Sequence, residues 1–148
     1  MKIEEEIRQP KFRNARQKAV INLIFTSNWL NSKQHELLKP HGITGQQFNI
    51  LRILKGQQSK SLSATAIKAR MLDKNSDVSR LLDRLAAKVL IEKKISTEDK
   101  RATDVSITPK GLEVLAAIDK NQNENDSFLA LTETEANQLS DLLDKCRS

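Results

Sequence analysis

The chain has 148 residues, 30% charged and 38% apolar, which suits one compact domain whose core needs no disulfide or metal staple. One cysteine (Cys146) and two histidines (His35, His41), with no CxxC or HExxH spacing, exclude an internal disulfide and give no structural zinc site, and no apolar run nears the roughly 18 residues that span a bilayer. The net charge of +6 is uneven: +4 over residues 1–51, +7 over 52–110 and −5 over 111–148, so a polyanionic partner is expected at the middle and the acidic tail away from it.

The N-terminus, MKIEEEIRQPKF, is too acidic and too broken for a signal peptide, so a cytoplasmic location is expected, with Met1–Gln9 frayed. Pro10 punctuates, and from Phe12 to Leu38 no Pro or Gly interrupts one long predicted helix. Phe12, Ala15, Ala19, Leu23, Leu30 and Leu37 recur at helical spacing, widened by Val20, Ile24 and Phe25 into a stripe broad enough to pack on more than one neighbour. Pro40 and Gly42 end it. Thr44-Gly45-Gln46-Gln47 has the form of a capping box and starts a helix carrying Phe48, Leu51, Ile53 and Leu54, which Gly56 stops. A polar loop, Gln57–Ser61, leads to the cap candidate Ser63 and a short helix from about Ala64 to Met71.

After a polar break at Asp73–Ser76, Val78, Leu81, Leu82, Leu85 and Val89 mark one face of a second helix, Asn75–Lys88. Two short helices about four residues apart make a helix-turn-helix pattern. The polar face of the second offers Asn75, Ser76, Ser79, Arg80, Arg84 and Lys88. Small side chains let a backbone approach DNA, and Arg can bond guanine O6 and N7 together, so this face suits the major groove. The plainer alternative is an ordinary amphipathic surface helix. The residues after Leu90 favour the groove-fitting helix: Ile91–Thr97 and Asp104–Ile107 alternate with a period of two around the charged loop TEDKRAT, as in the wing of a winged helix. Thr108-Pro109-Lys110 then starts a helix carrying Leu112, Val114, Leu115 and Ile118 that runs into the polar stretch Lys120–Asp126. Thr132-Glu133-Thr134-Glu135 is a second capping box, opening a last helix with Ala136, Leu139, Leu142 and Leu143.

From about Lys18 to Arg147 the chain resembles the MarR (multiple antibiotic resistance regulator) family of bacterial transcription factors. The likeness rests on HGITGQQFNIL, on MLDKNSDVSRLLDRLAAKVLIEK, and on EDKRATDVSITPKG, which holds the family's D-x-R at Asp99 and Arg101 and its I-T-x-x-G ending at Ile107, Thr108 and Gly111. One departure is Val89, where family members often carry Gly. The resemblance implies a mainly α fold with a small β-hairpin wing, as a single domain over 1–148. Residues 44–108 would form the winged helix-turn-helix, and 11–39 and 109–147 the dimerisation helices of a homodimer, with a closed monomeric bundle as the alternative. A dimeric reader places its recognition helices about one DNA turn apart, so a pseudo-palindromic operator is expected.

The candidate DNA-contacting residues are Ser63, Thr65, Asn75, Ser76, Ser79, Arg80, Arg84, Lys93, Lys100 and Arg101. Arg80 is the first choice for a base edge, while Arg84 and Lys88 are assigned to phosphates. Ser63 and Thr65 are phosphate candidates, and Lys93, Lys94 and Lys100 add sequence-independent attraction. Arg101 resembles the family arginine that enters the minor groove, with Asp99 orienting it. The resemblance also brings in a small aromatic effector, held in a crevice for which Phe25, Trp29, His41 and Phe48 are candidates. The alternative, preferred on general grounds, is that Phe25 and Phe48 are core, Trp29 sits at a dimer edge and His41 caps a turn. Cys146 reads as a spare terminal thiol. The expected function is a sequence-specific double-stranded DNA-binding regulator, a repressor by preference, with a non-specific architectural nucleic-acid binder as runner-up. With no nucleophile–base pair, phosphate loop or metal motif and only four glycines, no enzyme, no cofactor and no membrane partner is expected.

Overall fold

The structure is a computed structural model and describes residues 1–57, 60–124 and 128–148. Among the described residues, seven α-helices and three strands follow in the order α1 (Ile3–Glu6), α2 (Ala15–Leu38), α3 (Gly45–Lys55), β1 (Leu62–Ser63), α4 (Ala64–Arg70), α5 (Val78–Ala87), β2 (Ile91–Ile95), β3 (Thr103–Ile107), α6 (Pro109–Glu124) and α7 (Glu133–Cys146), with a 3-10 turn at Lys39–His41. The mainly helical architecture with a small antiparallel sheet is the expected class.

Local chemistry sets the helix ends. The Asn14 side chain accepts from the Gln17 N–H, so α2 begins three residues after Phe12. Both capping boxes form: Thr44 with Gln47, and Thr132 with Glu135. Ser63 Oγ accepts from the Ala66 N–H, 3.1 Å away, and caps α4. The loop expected at Gln57–Ser61 lies partly outside the described residues, as do residues 125 and 126 of the stretch expected to continue α6.

β2 and β3 form the expected hairpin, Ile91 opposite Ile107 and Ile95 opposite Thr103. Leu62, a lone apolar residue in the sequence, instead pairs with Val105, and Ser63 with Asp104, so the sheet runs β1-β3-β2. The core gathers Ile50, Leu51 and Leu54 of α3, Ile67 of α4, Leu82 and Leu85 of α5, Ile91, Val105, and Leu115 and Ile118 of α6. It spans α3 to β3 and the first half of α6, with Leu38 from the end of α2.

The first nine residues are not frayed. Ile3 is buried and Glu4 pairs with Lys18 of α2, so the N-terminal turn lies along that helix. The Lys18 hydrogen bond holds the Glu4 carboxyl below the usual glutamate range. The two long terminal helices are otherwise bare. α2 buries only Leu38 and α7 buries nothing, while Ile24 is 59% and Leu142 60% exposed. In the single chain these faces are therefore not closed into a bundle.

Among the described residues, no helix is long and apolar enough to cross a membrane.

Candidate nucleic-acid interface

α5 is two-faced. Val78, Leu81, Leu82 and Leu85 point into the core, and Ser79, Arg80, Asp83 and Arg84 stand in solvent. The helix begins later than the apolar periodicity indicates, at Val78 rather than Asn75. Asp77 is its N-cap, accepting from the Arg80 N–H at 3.2 Å. Ser79 and Arg80 therefore occupy the first turn, and Asn75 lies in the loop before it, exposed. Ser76 is a correction. It is only 4% exposed, and its hydroxyl donates to the Asp73 carbonyl at 2.8 Å and accepts from Gln46 Nε2, so its chief role is to build the turn.

The first turns of α4 and α5 share a surface. Thr65 and Lys68 line a depression of about 410 Å3 with Asn75, Asp77 and Ser79. Lys68 is absent from the candidates drawn from the sequence, although it follows Thr65 by three on the same helix face. Ser63 joins the group only as the half-buried cap of α4.

The wing tip is shaped by small side chains. Ser96 Oγ accepts from the Glu98 and Asp99 N–H groups, and Asp99 Oδ1 accepts from the Arg101 N–H at 2.9 Å. Asp99 thus orients Arg101 through its backbone and leaves the guanidinium exposed. Lys100 is also exposed. Lys93 does not stand free: it is paired with Asp83, bracing β2 against α5. Lys88, assigned to phosphate, instead donates to the Gly42 carbonyl and to Gln47, pinning the loop after α2 to the end of α5.

Arg80, Arg84 and Arg101 have no ion-pair partner among the described residues, whereas Arg52, Lys55 and Lys93 do. Three uncompensated guanidinium groups therefore lie on α5 and the wing tip.

The four crevice candidates do not converge. Phe25 and Trp29 line a hollow beneath the N-terminal turn, whereas Phe48 borders a different cavity, and His41 borders neither. Phe48 is largely core, with the Arg52 guanidinium 5.1 Å from its ring centre. The cavity at Phe48, about 720 Å3, lies between α2 (Asn31, Gln34, His35), α3 (Gln46, Asn49, Arg52) and the turn Met71–Asp73.

Helix, turn, exposed helix and a hairpin wing define a winged helix-turn-helix protein. Residues 41–102 match the MarR family model. The chain is 26% identical over 121 residues to the transcriptional repressor MprA of Escherichia coli, covering 80% of this chain and 69% of that protein. A putative MarR-like transcription regulator from Bacillus cereus superposes with a TM-score of 0.74 at 20% identity, over 89% of this chain and 95% of that one. A mutant of MarR from E. coli complexed with operator DNA superposes with a TM-score of 0.66 at 26% identity, over 84% and 91%. Residues 41–102 carry the likeness to the MarR family, and most of the chain is similar to transcriptional repressors and regulators. The family and these neighbours are regulators, not enzymes.

Proposed function

We propose that the protein is a sequence-specific double-stranded DNA-binding repressor that works in the cytoplasm as a homodimer on a pseudo-palindromic operator. The observation that carries this reading is the set of exposed arginines on α5 and the wing tip, Arg80, Arg84 and Arg101, without ion-pair partners among the described residues. Arg80, with Ser79 and Asn75, reads base edges in the major groove; Arg84, Thr65 and Lys68 meet phosphates; Arg101 enters the adjacent minor groove, with Lys100 beside it. Ser76 is not part of this set. Lys93 contributes chiefly by bracing the wing.

Residues 44–108 act as the reading head, and 11–39 with 109–147 as the dimerisation helices. In support, the apolar faces of α2 and α7 (Val20, Leu23, Ile24, Leu139, Leu142) stand open in the single chain. Burying even half of such faces between two copies contributes on the order of 25 cal/mol per Å2. The operator-bound MarR mutant supports the DNA arm of the reading. For a small aromatic acid, the cavity at Phe48 is the better-suited place: Phe48, Met71 and Leu72 offer apolar wall, and His35 and Arg52 polar groups.

Competition between a duplex selected by the protein and random duplex of equal length tests the proposal. A preference of at least about a thousandfold is expected. Equal affinity for both would favour the non-specific architectural binder. Simple phenolic acids added to the selected complex test the effector, with a fall in affinity expected.

A further inference from the structure

The segment that carries the chain from α4 into α5 has little apolar seating. Of Met71–Asp77, only Met71 and Ser76 are buried; Leu72, Asp73, Lys74, Asn75 and Asp77 are exposed. What fixes this turn comes largely from α3. Gln46 Nε2 donates to Asp73 Oδ2 and to Ser76 Oγ, each at 3.3 Å, and Asn49 Oδ1 accepts from the Leu72 N–H at 2.9 Å. Gln46 and Asn49 are three apart and share a helix face. Within the turn, Asp73 is the hub: Oδ1 accepts from the Asn75 N–H, and its carbonyl accepts from Ser76 Oγ. One residue beyond Ser76, Asp77 caps α5.

We infer that Gln46 and Asn49 are positioning residues for DNA recognition: two amides on α3 that latch the turn and so fix how α5 enters the groove. This rests on the DNA-binding reading above. A base-edge hydrogen bond tolerates a few tenths of an ångström, so a loosened entry into α5 degrades base reading. Phosphate attraction depends on charge at longer range and survives the same loosening. The latch therefore governs specific binding while leaving non-specific binding untouched. Gln46, Asn49 and Asp73 also border the Phe48 cavity.

The test measures the affinity of full-length Gln46→Ala for a selected operator and for random duplex of equal length, after circular dichroism and sedimentation show native helicity and assembly. Operator affinity is expected to fall on the order of tenfold, about the worth of an ordinary hydrogen bond or two, with random-duplex affinity unchanged. A second variant, Gln46→Glu with Asp73→Asn, exchanges donor and acceptor across the latch at constant net charge and is expected to regain most of the operator affinity. An unchanged ratio of operator to random affinity in Gln46→Ala overturns the latch, as does a parallel loss of both affinities, or a double variant no better than Gln46→Ala. If the unmodified protein prefers no duplex at all, the DNA-binding reading and the latch fall together.

Discussion

The end of α5 carries a conformation that most residues avoid. Val89 has φ +61°, in the left-handed region, and is 59% exposed. Its N–H donates to the Ala86 carbonyl and the Leu90 N–H to the Leu85 carbonyl, both at 3.0 Å. These are the two bonds of a Schellman ending, and Leu90 and Leu85 supply its buried apolar contact. That position ordinarily takes Gly, because a Cβ in this region costs about 1–2 kcal/mol. Replacing Val89 by Gly removes that strain but adds about 0.5–1 kcal/mol of unfolded-state entropy and loses the part of the side chain that packs. Comparison with Val89→Ala cancels most of the lost packing, since Ala gives up nearly the same atoms and keeps the strain. The Gly variant should therefore be more stable than the Ala variant by about 0.5–1 kcal/mol, whereas in a helix interior Gly is the worse by about 1 kcal/mol. In thermal melts at one fixed protein concentration this corresponds to a shift of up to about 2–4 °C. An Ala variant as stable as the Gly variant, or more so, would refute the strain argument.

Gly111 makes the opposite case. A Cβ there would run into the Leu90 carbonyl oxygen and lie 2.7 Å from Ile107 Cγ1, so Gly111→Ala should destabilise by about 1–3 kcal/mol in urea melts, although Gly→Ala in an open helix is a gain. Glu135 is held below the usual glutamate range, first by the Thr132 backbone N–H and then by its hydroxyl. A lowered pKa means its contribution is complete above the ordinary glutamate value of about 4.3 and is lost as pH falls through the lowered one. The stability gap between the native protein and Glu135→Gln should therefore close on acidification; a gap independent of pH would contradict this assignment. Arg101→Ala should weaken operator binding without unfolding the protein, and should reduce the slope of log affinity against log salt by about one if the guanidinium neutralises a phosphate-rich groove. An unchanged affinity and slope would remove the wing tip from the interface.

Where a feature is local, the sequence announces it. Thr44 with Gln47 and Thr132 with Glu135 cap as their spacing predicts, because a capping box closes within four residues. The hairpin is legible because alternation and a charged loop lie side by side in the chain. Features that depend on distant partners are not. β1 is two residues long and exists only through Val105 and Asp104. The N-terminal turn is four residues, too short for periodicity, and Ile3 is buried only because α2 lies beside it. The periodicity of α5 identifies its exposed side at Ser79, Arg80 and Arg84 but misassigns Ser76, because the helical pattern runs on past the Asp77 cap. The aromatic candidates Phe25, Trp29, His41 and Phe48 are alike in type, and the fold separates them. Gln46 and Asn49 give no signal at all, since two amides three residues apart acquire meaning only when Asp73 arrives from 27 residues away.

The most direct test of the whole account is selection of bound fragments from random duplex DNA by the purified full-length protein. Paired reading heads should enrich an inverted repeat whose half-site centres lie about 10–11 base pairs apart. An enriched pool no different from its input would contradict the account.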